Sequence, residues 1–227
     1  MKYFMVVLSV IVMGLAPVAT MAKKKSEIPQ VTVEGLELVP DVEGLAHVWA
    51  EPGANLSQYK RVLLAEPYVA FKKNWKRDQN DIGTRVTNAD MNRIKTSVKD
   101  LFMEVFTEEL QKAGYVLATE RAEDVLLVKP AIIDLDVQAP NVLEAGINRT
   151  YSKTAGSMTL YMELYDSETD DILAKAMDST ADRDSGGFQS FVSGPANRQV
   201  AMQLMRPWAV ALVKGLDRSR KVTSEEG

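Results

Sequence analysis

Between Thr87 and Ala113 the apolar side chains Met91, Ile94, Val98, Leu101, Phe102, Val105 and Leu110 recur three and four residues apart. That spacing aligns them as one stripe along a helix, and few other local structures can satisfy it. Thr87 or Asn88 is suited to cap its start, Asp90 to its first turn, and Gly114 to a left-handed residue that ends it. Burying seven such side chains contributes roughly 1.5 to 3 kcal/mol each before ordering costs. The helix must therefore lie on something apolar, and the rest of the chain says that this is a sheet.

Strands are expected at Tyr115 to Ala118, Asp124 to Val137, Ser157 to Asp166 and Ile172 to Ala181. The third shows clean alternation: Met158, Leu160, Met162 and Leu164 on one face, Thr159, Tyr161, Glu163 and Tyr165 on the other, as a sheet packed on one side requires. Asp166 to Asp171 reads as the turn joining it to the next strand. Arg61 to Phe71 is β-rich, with Pro67 imposing a bend or an edge position. A second helix is expected from Pro195, which lacks only an N–H that a helix start does not use, to Leu216, with a kink at Pro207. Strands and helices interleave without a GxGxxG motif or a βαβαβ rhythm. The fold class is therefore α+β, a mixed or mostly antiparallel sheet packed by a long central helix and a C-terminal helix. A Pro- and Gly-punctuated extended arm with one or two short strands (residues 23–59) precedes a single domain (60–218) and a flexible tail (219–227).

Residues 1–22 read as a secretory signal peptide: Lys2, an apolar run from Tyr3 to Met13, the breakers Gly14 and Pro17, and small residues at Thr20 and Ala22 for cleavage. The run is too short and interrupted for a comfortable transmembrane span, which needs about 20 apolar residues. Lys23, Lys24 and Lys25 argue the other way, toward a retained anchor. Removing the leader from a chain with 27 Lys and Arg and 31 Asp and Glu leaves 26 basic residues against 31 acidic ones, a formal charge of −5. A mildly acidic protein is a poor general nucleic-acid binder, so no nucleic acid is expected as a partner. The chain has no cysteine, which excludes disulfides, thiolate chemistry, thiolate metal sites and a lipid-bearing N-terminal Cys. The compartment expected is the periplasm, with no transmembrane segment after cleavage.

Catalytic constellations are sparse. His47 is the only histidine, so a two-histidine zinc site is excluded, and no GxSxG serine offers it a triad. Asp134 and Asp136 are expected to project from one face of a strand, with Ile133, Leu135 and Val137 on the other. They are either the wet face of a half-exposed strand or a carboxylate pair for a hydrolase, metal-assisted or not. Asp166 to Asp171 fails as an EF-hand loop, because Asp171 stands where the glycine belongs and Met177 where the closing glutamate belongs. Asp182 to Gly187 reads as an acidic loop. No phosphate-cradling P-loop is present, and neither a catalytic residue, a metal nor a cofactor is assigned.

Two stretches could hold a partner. In FKKNWKRDQN, residues 71–80, Lys72, Lys73, Lys76 and Arg77 could meet an anionic envelope component while Trp75 stacks on it. Alternatively this is a strand end whose Trp75 and Phe71 pack down while the cations stay in water on apolar stems. In SGGFQSFVSGP, residues 185–195, Phe188 and Phe191 offer apolar anchors on a Gly- and Ser-rich loop, or else tuck under the last helix.

The segments GLELVPD, YKRVLLAEPYVAFKKNWKRDQN, VFTEELQKAGY, KPAIIDLDVQAP and GSMTLYMELYDSETDDILAKAMD, in that order, resemble the bacterial domain-of-unknown-function family 3313 from about Gly35 to Leu216. The resemblance implies an exported protein, in a family where many members look like lipoproteins and no activity is established. Together these readings lead to a soluble periplasmic, non-catalytic binding or accessory protein of the cell envelope. The oligomeric state is open.

Overall fold

The computed structural model describes residues 28–81, 85–137, 157–181 and 195–225. Within them the chain runs β1 (Glu37–Val39), β2 (His47–Ala50), a 3-10 turn (Leu56–Gln58), β3 (Arg61–Leu64), β4 (Tyr68–Phe71), α1 (Trp75–Asp81), α2 (Asn88–Lys112), β5 (Val116–Leu117), β6 (Val125–Asp136), β7 (Ser157–Asp166), β8 (Ile172–Ala181) and α3 (Pro195–Glu225). The described strands form one eight-stranded sheet in the order β1-β2-β8-β7-β6-β3-β5, with β4 also on β6. The pairs from β1 to β6 along this path are antiparallel, whereas β3 and β4 both run parallel to β6, and β5 parallel to β3. Mixed pairing and segregated helices make the fold α+β, as the sequence pattern requires.

The predicted stripe is the inner wall of α2. Ile94, Val98, Leu101, Phe102, Val105 and Leu110 are buried, joined by Phe106, whose ring stacks on Phe102 with centroids 3.9 Å apart. Thr87 and Asp90 form a capping box: Thr87 Oγ1 accepts the Asp90 N–H at 3.1 Å, and Asp90 Oδ2 accepts the Thr87 N–H at 2.9 Å. The Thr87 hydroxyl, which donates to Oδ2 at 2.6 Å, the Thr87 N–H and the guanidinium of Arg93 hold the Asp90 carboxyl down at about 2. At the other end Gly114 has φ 83, and the N–H groups of Tyr115 and Gly114 return to the carbonyls of Leu110 and Gln111. This is a Schellman motif, and its left-handed residue is what selects glycine.

α2 lies against α3, and both cover the same face of the sheet. That face presents Met158, Leu160, Met162 and Leu164 from β7, Val128, Ile132 and Leu135 from β6, and Ala174 and Ala176 from β8, against Met205, Trp208 and Leu212 of α3. Arg206 ties the helices at their rim, bonding Glu108 at 3.0 Å and pairing with Glu109; Arg198 pairs with Glu104. A carboxylate near the middle of α3 also faces inward. Asp178 of β8 accepts the Trp208 indole N–H at 2.6 Å and the Ala46 N–H at 3.2 Å, so the group is satisfied where an unpaired one would be costly.

Three local expectations change. Residues 75–81 are helical, so FKKNWKRDQN is a strand end, a turn and a short helix rather than a strand end alone; Asn74, at φ 65, makes the left-handed turn between them. α3, with Pro207 inside it, runs past Leu216 to Glu225. Pro207 is exposed, so the carbonyl that loses its intrahelical donor can be met by solvent. In β6, Asp134 has φ 50 and a bulge shifts the register between Ile133 and Asp136. The extra residue changes the phase of the strand. Ile132 points inward before the bulge and Leu135 and Val137 after it, whereas Ile133 sits opposite Thr159 on the outer face.

Candidate functional site

The turn from β4 into α1 carries the basic stretch. The Trp75 side chain is buried, at 2% exposure, with its ring stacked on Phe71 at 4.1 Å and its indole N–H donated to the Val137 carbonyl at 2.7 Å. Its faces are therefore not available to stack on a ligand, and the alternative in which Trp75 packs down is the one observed. The indole plugs the end of β6 and fixes where the turn sits.

The cations around it divide into two groups. Lys72 bonds Asp136 at 2.8 Å, which raises the lysine pKa, and Arg77 bonds its neighbour Asp78 at 2.8 Å. Lys76 donates to the neutral Asn88 Oδ1 at 2.7 Å, at the start of α2. Lys73 is exposed and makes no ion pair among the described residues. Lys95, from the second turn of α2, stands 5.9 Å from the centroid of the Phe71 ring. Of the four cations expected to read an anion, Lys73 and Lys76 meet no carboxylate among the described residues, and α2 brings Lys95 alongside. Phe188 and Phe191 lie outside the described residues.

The carboxylates singled out in β6 are not held as a pair. Asp136 is engaged by Lys72, and Asp134 is exposed on its bulge. Among the described residues no group of three or more His, Asp or Glu side chains could hold a metal ion. His47 is on β2 with its ring 5.9 Å from that of Trp49. The acidic segment Asp166 to Asp171 is the β7–β8 hairpin turn. Asp166 Oδ1 accepts the N–H groups of Glu168 and Thr169, and its Oδ2 accepts the Tyr59 hydroxyl at 2.8 Å. Burial and that bond push the Tyr59 hydroxyl up to about 12. Asp182 to Gly187 falls outside the described residues.

One polar assembly escaped sequence reasoning. On the face of the sheet away from the helices, register sets Trp49, Lys175, Glu163 and Lys129 side by side across β2, β8, β7 and β6. Glu163 accepts the hydroxyls of Tyr161 and Tyr165 at 2.8 and 2.7 Å and stands 3.5 Å from Lys175. Lys175, only 11% exposed, also bonds Glu34 of the N-terminal arm at 2.6 Å. Lys129 lies 4.0 Å over the Tyr165 ring, and Arg121 bonds Asp170 beside it at 2.7 Å. Burial works against ionising Glu163, but the tyrosine hydroxyls and Lys175 outweigh it and leave its pKa lowered. Burial likewise opposes the charge on Lys175, and Glu34 and Tyr161 outweigh it, so its pKa is raised. The alternation of Tyr161, Glu163 and Tyr165 was legible as a polar face; that Lys175 and Glu34 complete it depends on contacts 12 and 141 residues apart.

Among the described residues no helix is long and apolar enough to cross a membrane. No curated protein matches the chain. Similar solved structures include a Xanthomonas campestris protein of family DUF330, at 14% identity and TM-score 0.39, covering 78% of this chain and 93% of that one. The PelC dodecamer from Paraburkholderia phytofirmans is similar at 12% identity and TM-score 0.36, covering 73% and 95%. A neuraminyllactose-binding hemagglutinin homolog from Helicobacter pylori follows at 14% identity and TM-score 0.31, covering 76% and 94%. Likenesses this distant carry nothing about what the chain does. The order of segments noted in the sequence is matched by a family model over residues 34–211, most of the chain, and the protein belongs to the family of proteins of unknown function DUF3313.

Proposed function

We propose that the protein is a non-catalytic binding or accessory protein of the bacterial cell envelope, soluble in the periplasm once a leader ending at Ala22 has been removed. The observation that carries this reading is the commitment of its polar groups to structure. Asp136 holds Lys72, Asp166 holds a turn and Tyr59, Asp178 holds Trp208, and Glu163 holds two tyrosines and Lys175. Groups so engaged position the fold; a general acid or base has to be free to exchange a proton with a substrate. Lys73 and Lys76, at the β4–α1 turn, are the side chains from the sequence prediction that stay open to an anionic partner. The leader-like residues 1–22 support the compartment.

Amine-reactive crosslinking in intact cells, followed by mass spectrometry, tests compartment and partner together. The expected result is a mature N-terminus at Lys23 and crosslinks from Lys73 or Lys76 to an envelope protein or glycan-linked peptide. A retained Met1 in a cytoplasmic fraction would overturn the compartment. Hydrolysis by the purified protein that disappears on Asp134→Asn or Asp136→Asn would overturn the non-catalytic reading.

A further inference from the structure

We propose that residues 29–38 form a strap that opens from the sheet as a unit, with Lys175 as its catch. The strap is bonded to itself. The Thr32 N–H reaches the Leu36 carbonyl at 2.9 Å, the Leu38 N–H reaches the Gln30 carbonyl at 2.8 Å, and Val31 bridges Glu37 antiparallel around a turn at Gly35, φ 88. Because those bonds are internal, they survive if the segment moves away. β1 ends the strand order, so no further strand has to break.

Its hold on the body is narrow. Leu36 is buried, but Val31 is 55% exposed and Val33 wholly so, and little apolar area keeps the turn in place. What remains is the three-residue β1–β2 ladder, the Trp49 indole N–H donated to the Pro29 carbonyl at 2.8 Å, and the Glu34–Lys175 pair at 2.6 Å. Lys175 sits on β8 in the body and has a second carboxylate, Glu163, 3.5 Å away. The cation is therefore not stranded when Glu34 leaves, and the catch has two occupied positions rather than one. Opening bares the β2 edge together with Trp49 and Lys175, a strand edge beside a cation.

Hydrogen exchange of the full chain, read residue by residue, tests this. Glu34→Gln removes the charge from the strap and leaves the body intact. The expected result is faster exchange at the amides of Glu37 and Val39 and of Ala50 and Val48 opposite them, the pairs that cross from β1 to β2, by about tenfold, the factor that goes with losing one charge-assisted hydrogen bond, while the strap-internal amides of Thr32 and Leu38 and those of β6 and β7 stay unchanged. Trp49→Phe, which removes the bond to Pro29, is expected to move the same amides in the same direction. Crossing amides that keep their protection in both variants, or that accelerate only together with β6 and β7, would overturn the strap as a separate opening unit.

Discussion

The two faces of the same sheet are held by different physics. On the inner face β7 offers methionines and leucines, and stability there depends on filled volume against Phe102, Phe106 and Trp208. On the outer face the alternate residues of that strand build a lattice of hydroxyls, carboxylates and amines around Glu163 and Lys175. The inner face should respond to lost methylenes and be nearly indifferent to acid. The outer face should respond to lost charge and to pH. A single strand can thus carry two failure modes, separated only by the side to which a residue points.

The sharpest test of that contrast is Phe102→Ala, which removes a fully buried ring stacked on Phe106. A loss of about 3–5 kcal/mol in urea unfolding is expected, with the same deficit at pH 5 and pH 8. Trp75→Phe comes next, because it leaves the Val137 carbonyl without its indole donor in a buried site. It should lower stability by about 1–3 kcal/mol. A near-neutral result would mean that the indole is not needed to seat the turn, and would reopen a binding role for it.

Glu163→Gln addresses the outer face and should cost about 1–2 kcal/mol at neutral pH. The folded pKa of Glu163 is lowered, so its stabilisation is present above the unfolded value, near 4.5, and is lost as pH falls through the lower folded value. Glu34 behaves with the same sign through its bond to Lys175. Melting temperature followed from pH 6 downward should therefore fall less steeply in Glu163→Gln than in the parent, whereas Phe102→Ala should keep the parent slope. The smallest effect is expected from Lys72→Ala, an exposed pair with Asp136 at the rim, at under about 1 kcal/mol. If it exceeds Glu163→Gln, the division between the faces is drawn in the wrong place.

Much of the inner face was legible in advance because its signals are local. The stripe of α2, its cap at Thr87, Gly114 at its end and the alternation in β7 each depend on residues within a few positions of one another. The Asp166 turn was legible for the same reason. The bulge at Asp134 was not: alternation was extrapolated through it, and the extra residue there, with Asp134 at φ 50, changes the phase. α1 was missed because six polar and charged residues after one tryptophan carry no stripe, and Trp75 is the residue of that helix that is buried. At the candidate site, Asp78 beside Arg77 was visible in the stretch itself, but the carboxylate partner of Lys72 was not. Asp136 is 64 residues from Lys72, and that pair removes half of the argument for an anion at Lys72. Of the Lys175 assembly only the alternating face of β7 was legible, since the short strands expected in the arm carry no sign that they join this sheet and bring Glu34 to Lys175.

The twelve-residue β6 has β7 on one edge and, in succession, β3 and β4 on the other. It joins Arg61 to Val125 and Tyr68 to Ala131, so each closure must gather more than 60 residues of chain. Such non-local pairing slows the search for the native arrangement. During synthesis the early strands and α2 would wait, with apolar surface uncovered, for a partner made halfway through the chain. The interval before β6 emerges is when this protein is most exposed to misassociation.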